Sequence, residues 1–408
     1  MTNTPNSICG TLLALLASAL FDAEVSIDFS ALDINLLFRE AKAQAVAAIV
    51  FDRLPDAVAE KDPETYAAWQ KYALKAVQQN IMQLTANAEV ERLFQNAALP
   101  ACTIKGFACA YYYPEPSLRQ MGDIDFIVPK HLLRESEELM SRSGYTRIDE
   151  DGDHDFHISF KKDGNLYEMH ESITTILDEN GYVERYLDHV TETAVKVDLD
   201  FESLTVPDSF THGLIMLLHM QRHMLSGGGI GLRHLCDWAV FVNTFSDSDW
   251  RLLFEEKLKQ VNLWDFAMAC SQTAHLYLHM PAQQWFVDFS DALSALLLND
   301  MIIAGNFGYK DIKRYQELAF ISRDVRHQKG FSAFWNAYIN KVYSWKPALK
   351  KRKALLPLGV IAYPWRVLFK IVFKAKKISI VENYKGGHQR NLLYAELFKN
   401  HRQNDKGV

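Results

Sequence analysis

Apolar residues recur at three- and four-residue intervals from Cys9 to about Ala98, with almost no glycine, and this spacing predicts a bundle of about three or four helices. Leu12, Leu15, Leu16 and Ala19 make one apolar face, and Trp69, Ala73, Val77, Ile81, Leu84 and Ala88 make another. Pro63, after Asp62, marks the start of the long second stretch, because proline is tolerated at the first helical position. The texture changes at Leu99 and Pro100. A short apolar strand over residues 101–104 ends at Lys105 and Gly106, and a brief helical stretch through Tyr113 is closed by Pro114 and Pro116. Residues 123–128 then alternate at a period of two, which predicts a strand with Asp123 and Asp125 on one face. Pro129 stops it.

Downstream, residues 131–143 have helical spacing and Gly144 turns the chain. Residues 145–149, 155–161 and 166–171 have strand character, joined by hairpin turns at Asp151-Gly152 and Asp163-Gly164. Helical spacing returns from about Asp208. It runs over 214–224, breaks at Gly227, Gly228 and Gly229, and resumes over 232–242. There is no internal repeat.

These textures divide the chain into a helical region 1–98, a mixed core 99–205, a helical domain 206–340 and a basic segment 341–408, an α+β organisation. A chain of 408 residues is long for one core and suits two or three domains. Hydrophobic residues at 49% and charged residues at 23% exclude a disordered polymer. The net charge of −6 gives no global electrostatic reason to bind nucleic acid, so the default partner is a small molecule or a protein. Cys9, Cys102, Cys109, Cys236 and Cys270 are odd in number and scattered, and read as reduced core thiols. The apolar run 8–21 lacks a basic flank, since no Lys or Arg precedes Arg39, so a buried first helix is expected rather than a signal peptide. No stretch of 18 uninterrupted apolar residues occurs. A cytoplasmic protein without a membrane span is expected.

Two carboxylates at i and i+2 on a strand lie roughly 6 to 7 Å apart at Cβ, close enough to share divalent cations. Mg²⁺, or Mn²⁺, suits such a pair because it takes oxygen ligands and is held by one or two carboxylates together with substrate phosphates. Glu168 is placed to add a third acid if its strand pairs beside residues 123–128. Two ions about 3.5 to 4 Å apart would then serve an in-line phosphoryl transfer. Upstream, Lys105 and Gly106 end a strand and open a helix, a geometry that attracts phosphate.

The ordered series Ile104, Lys105, Gly106, then Tyr113, Pro114, Arg119, the run Gly122 to Val128, Gly144, Tyr145, and finally Tyr167 to His170 resembles the nucleotidyltransferase family 5 branch of the DNA polymerase β superfamily. The resemblance covers about 70 residues closely and the helical flanks more loosely. It implies a polymerase β-type core with a mixed sheet, metal-binding acids at Asp123, Asp125 and Glu168, and a nucleoside triphosphate near Lys105 and Gly106. The wider superfamily prefers Gly-Gly or Gly-Ser at that turn, where this chain has Lys105, Gly106 and Phe107.

Around this series several residues carry two readings. Arg119 can clamp phosphate or pair with a nearby acid. His170 shares a strand face with Glu168, and a hydrogen-bonded neighbour of the site is favoured over a metal ligand, since oxygen suits Mg²⁺ better. His219 and His223 have the i, i+4 spacing of zinc sites, but HExxH is absent and a helix lining the interdomain cleft is the expectation. Arg233 and Asp237 are expected to pair along one helix, and the glycines before them leave open a role in binding base or acceptor. Between 341 and 381 there are eleven Lys and Arg and no Asp or Glu, interleaved with Tyr363, Trp365, Phe369 and Phe373. An anionic membrane, nucleic acid or an acidic partner would fit; Pro357, Gly359 and Pro364 favour a packed, irregular tail.

The function expected is Mg²⁺-dependent transfer of a nucleoside monophosphate from a nucleoside triphosphate to a hydroxyl of a small molecule or protein. The alternative is a nucleotide-binding or scaffold protein without turnover. Action on RNA ends would rest on the basic tail alone.

Overall fold

A computed structural model describes residues 7–148, 157–173, 180–311, 313–321, 335, 338–339, 342–343, 345–346, 349, 353–374 and 380–398. The expected turn at Asp151-Gly152 and the basic residues Lys341, Lys350, Lys351, Arg352, Lys376 and Lys377 lie outside them.

The first stretch forms five helices: α1 Ile8–Phe21, α2 Ile34–Ala43, α3 Ala47–Phe51, α4 Asp56–Lys61 and α5 Pro63–Asn96. Pro63 does open α5, and the Asp62 carboxylate accepts from the Thr65 N–H at 3.1 Å, so a side chain satisfies one orphan donor of the first turn. The 34 residues of α5 span about 51 Å, and the helix joins three apolar clusters in turn. Trp69 enters the helical core, Ala86, Val90 and Phe94 lie beneath the sheet, and Leu84 and Ala88 meet a hairpin.

Midway along α5 the buried face is polar, and Ile81, expected on the apolar face, is 44% exposed. Asn80, Gln83, Asn87 and Glu91 are buried there instead. Asn80 Nδ2 donates to the carbonyls of Ser117 and Arg119 at 2.7 and 2.8 Å, and Gln83 Nε2 donates to Gly122 at 2.6 Å. A loop has no ladder of its own, so these side chains satisfy its carbonyls and fix the approach to the acidic strand.

The central sheet contains β1 Cys102–Thr103, β2 Ile124–Ile127, β3 Thr146–Ile148, β4 His157–Lys162 and β5 Asn165–His170 in the order β1-β2-β5-β4-β3. β2 and β5 are parallel and the other pairs antiparallel, which makes the sheet mixed. Between β1 and β2 lies α6 Gly106–Ala110, and α7 Leu133–Arg142 follows β2. The turn between β4 and β5 has Asp163 at φ 49° and Gly164 at φ 82°, the two positive angles that a tight two-residue hairpin requires. Ile124, Phe126, Phe160, Tyr167 and Met169 cover the sheet face against α5 and α7. By the period of two, the acids are left on the other face.

α8 Tyr182–Asp188 and a hairpin, β6 Val195–Leu199 with β7 Glu202–Val206, complete this region. The hairpin is absent from the sequence expectation, although the alternation of Val195, Val197 and Leu199 is its trace. Then come α9 Ser209–Ser226 and α10 Leu232–Val242. Helices from the start of the chain, α9, α10 and the late helices Trp264–Leu278 and Ile380–Leu397 bury their apolar faces in one shared cluster.

The glycine loop before α10 approaches another loop, not open space. An added Cβ on Gly228 would lie 2.6 Å from Gly308 Cα, and Gly308 itself sits at φ +78°. The Arg314 guanidinium donates from Nε to the Gly228 carbonyl and ion-pairs with Asp300 at 2.9 Å. In the basic tail the structure departs from an irregular packing, because Leu356–Lys374 is a continuous helix with Pro364 inside it. Proline deprives the carbonyl four residues back of its donor. That carbonyl, of Val360, accepts from the Tyr338 hydroxyl at 2.5 Å instead.

Candidate functional site

In the parallel pairing of β2 with β5, Asp125 lies abreast of Glu168 and Ile127 abreast of His170. Residues abreast in neighbouring strands point to the same side, so Asp123, Asp125, Glu168 and His170 share one face. Carboxylate oxygens of Asp123, Asp125 and Glu168 all lie within 4.8 Å of one another. A second group, His157, Glu168 and His170, meets the same distance. His157 was not foreseen; it pairs across strands with His170, and its ring stands 5.1 Å from that of His170.

Lys105 reaches into this group. Its ammonium is 2.5 Å from Asp125 Oδ1, 3.9 Å from Glu168 Oε2 and 3.3 Å from His170 Nε2. The expectation put the useful conformation at the Lys105-Gly106 turn, and the structure assigns the unusual backbone to the lysine: φ 55°, ψ −127°. A side chain rarely occupies that region, and such strain persists where the surroundings enforce it. Here the enforcing contacts include Cys109 N–H to the Lys105 carbonyl at 2.7 Å and Ile104 N–H to the Asp125 backbone carbonyl at 3.0 Å. Gly106 opens α6, where an added Cβ would meet nothing nearer than 3.8 Å.

His170 Nε2 is 2.7 Å from Asp125 Oδ1 and 3.3 Å from Glu168 Oε2. It can donate to Asp125 or accept from Lys105, not both at once. Its Nδ1 is buried without a hydrogen-bond partner among the described residues. In this structure His170 is a hydrogen-bonded neighbour of the acids, and it also belongs to the second group that could hold a metal ion.

The charge on this face is unbalanced. The neighbouring Asp125 charge, burial and the Glu168 charge push the Asp123 carboxyl up to about 8, against a smaller opposing effect of Lys105. Burial acts upward on Glu168 too, but hydrogen bonding to His170 and the charges of Lys105, His170 and His157 outweigh it and hold that carboxyl well below its usual range. An acid raised in the folded state binds an extra proton between its unfolded and folded values, so it contributes a loss of stability as pH rises from about 4 towards about 8. We expect Asp123→Asn to melt above the wild type at pH 8 in EDTA. Mn²⁺ or Mg²⁺ should raise the wild-type melting temperature, more at pH 8 than at pH 6, and leave the variant unmoved. Thermal melts at the two pH values check this, and a wild-type shift independent of pH counts against it.

Arg119 resolves differently from a phosphate clamp. Its Nε and Nη2 donate to the two Asp237 oxygens at 2.7 Å each, and the Tyr113 hydroxyl donates to Asp237 Oδ1 at 2.7 Å. Asp237 therefore pairs across 118 positions with Arg119 and not along α10 with Arg233. The two-pronged match of guanidinium and carboxylate wins over the looser i, i+4 geometry.

Arg233 instead donates to the Gln120 carbonyl at 3.1 Å and lies over the Phe307 ring, 5.1 Å from its centroid. Burial and the Arg119 charge lower its pKa, while Asp237, Tyr113 and Asp123 act upward. Burial also lowers Arg222 of α9, against the upward pull of Glu168 and Asp125. Both guanidinium groups thus sit in the field of the acidic face. Nothing in helical periodicity marks Arg222, which was not foreseen.

His219 and His223 bring their rings within 4.5 Å, with His234 and Phe307 packed against them. Burial lowers the pKa of all three histidines, and the Lys105 charge adds to this for His219 and His223. Uncharged rings beside Lys105 fit the expected helix lining a cleft.

Against known families, residues 30–279 match the model of an uncharacterised nucleotidyltransferase family. The chain belongs to that family. It is an enzyme of the nucleotidyltransferase class, and its α+β fold with a mixed five-stranded sheet is consistent with that membership. No curated protein matches the chain. Among solved structures, a tRNA nucleotidyltransferase complexed with a primer tRNA and an incoming ATP analogue is similar at 14% identity and a TM-score of 0.23, over 78% of this chain and 96% of that one.

Proposed function

We propose that this nucleotidyltransferase moves a nucleoside monophosphate from a nucleoside triphosphate to a hydroxyl of a small molecule or protein, with Mg²⁺ or Mn²⁺ held by Asp123, Asp125 and Glu168. The observation that carries the proposal is the abreast position of Asp125 and Glu168 in a parallel strand pair, with Asp123 two residues earlier. The donor set suits a hard divalent cation: three carboxylates converge, and the raised pKa of Asp123 reports negative charge that Lys105 alone does not balance. Bound there, such a cation supplies charge neutralisation and Lewis acidity to phosphoryl oxygens.

The acceptor oxygen attacks the α-phosphorus, the bond to the bridging oxygen breaks, pyrophosphate leaves, and the hydroxyl proton passes to solvent water. Glu168, held as a stable anion by His170, Lys105 and His157, is better suited to holding a cation than to storing that proton. Lys105 offers a point charge to phosphate oxygens at the edge of the acidic face. Arg222 and Arg233 add cationic charge from α9 and α10, where the outer phosphates of a triphosphate would need it. Arg119 contributes by position: its bond to Asp237 ties α10, and with it Arg233, to the loop that leads into β2.

The test is incubation with each of the four α-³²P-labelled ribonucleoside triphosphates, candidate acceptors and Mg²⁺ or Mn²⁺. Label should pass to one class of acceptor with stoichiometric pyrophosphate and disappear in EDTA. Absence of both label transfer and pyrophosphate with every nucleotide and cation would overturn it.

A further inference from the structure

The helix Leu356–Lys374 and the residue before it carry an apolar stripe that nucleotidyl transfer does not use. Leu355, Leu358, Ile361 and Trp365 are 42%, 65%, 65% and 70% exposed. With 3.6 residues per turn, these four positions fall within an arc of about 120°. The other side of the helix is tied to the protein. Gly359 is buried against Leu349 and Val342, and the Tyr338 hydroxyl reaches the Val360 carbonyl. Large aliphatic side chains in a row, beside an exposed tryptophan and pointing to solvent, are costly unless a partner covers them.

Charge selects among partners. Residues 341–381 hold eleven Lys and Arg and no acid, so against a whole-chain net charge of −6 the rest of the molecule carries −17. Arg366, Lys370 and Lys374 lie in the second half of the same helix. A nucleic acid would use the cations and leave Leu355, Leu358 and Ile361 without a role. No described helix is long and apolar enough to cross a membrane. A helix lying in the plane of a bilayer surface uses both features, because aliphatic and Trp side chains enter the acyl boundary while Lys and Arg meet anionic headgroups.

We propose that this helix docks the enzyme flat on an anionic lipid bilayer. The negative remainder of the chain would be repelled by such a surface, so the basic end is the end that faces it. The proposal is independent of the acidic site.

The experiment is sedimentation of the full chain with vesicles of pure phosphatidylcholine and with vesicles containing roughly one-third phosphatidylserine, in low and high salt. At least about tenfold stronger partitioning to the anionic vesicles is expected, weakening with salt. The triple variant Leu358→Glu, Ile361→Glu, Trp365→Glu should lose at least about tenfold of that binding, with unchanged circular dichroism and unchanged nucleotidyl transfer. Leu358→Ala with Trp365→Ala provides a milder second variant and should lose part of it. Equal partitioning to both vesicle types, full binding by the folded variants, or an RNA gel shift lost in the same variants while vesicle binding is absent would each overturn it.

Discussion

Asp125→Asn is expected to lower the rate of nucleotidyl transfer by about three orders of magnitude, roughly 4 kcal/mol of transition-state stabilisation. The substitution keeps the shape of the side chain and removes its charge, so it isolates electrostatics from packing. Asp125 is the residue on which the face converges, with Lys105 at 2.5 Å and His170 at 2.7 Å on the same oxygen. Asp123→Asn should act comparably. Glu168→Gln separates an enzyme from a nucleotide-binding scaffold: ATP binding measured by calorimetry survives while single-turnover incorporation falls by a similar factor. Because hydrogen bonding to His170 and the charge of Lys105 hold Glu168 as an anion, its loss should also weaken the melting-temperature rise produced by Mn²⁺. Turnover within threefold or so of wild type in Asp125→Asn, in a preparation with intact circular dichroism, would remove the acidic face from the chemistry.

What the sequence made legible was local. The alternation through residues 123–128 and 166–171 carries the strand and its face, since a period of two is a property of adjacent residues. Asp62-Pro63 and Asp163-Gly164 announce a helix start and a tight hairpin because each needs only its own backbone angles. The approach of Glu168 to Asp125 depended on strand pairing, a condition that residue spacing leaves open and the parallel register meets. Other features follow from partners far along the chain. The buried polar row Asn80, Gln83, Asn87 and Glu91 looks in sequence like an exposed helix face, and only the loops and strands laid upon it make it internal. The tail helix survives Pro364 through the Tyr338 hydroxyl, a contact no helix rule includes. Arg222 and Arg233 come within the field of the acids through the packing of α9 and α10, where periodicity records only helix.

Asp237→Ala is expected to cost about 3 to 5 kcal/mol of folding stability, more than any single substitution on the acidic face. Arg119 and Asp237 are 4% and 8% exposed, so each has given up hydration for the other and for the Tyr113 hydroxyl. Removing the carboxylate strands the Arg119 guanidinium and the tyrosine hydroxyl in a core lined by Cys109 and Cys236, and leaves Arg119 and Arg233 as like charges without the anion between them. Arg119→Met should cost less, because the Arg233 charge already acts on Asp237 and remains after the change. The pair Arg119→Met with Asp237→Leu should be milder than Asp237→Ala alone, since the Arg119 charge leaves together with its partner, while Arg233 keeps its bond to the Gln120 carbonyl. Urea or guanidinium unfolding of the three variants measures the order directly. A cost below about 1 kcal/mol for Asp237→Ala would mean that water reaches the pair and that α10 is held by its apolar contacts alone. The same variants should raise the KM for triphosphate more than they lower kcat, because α10 carries Arg233 towards the acids and the Arg119–Asp237 bond fixes where that helix sits.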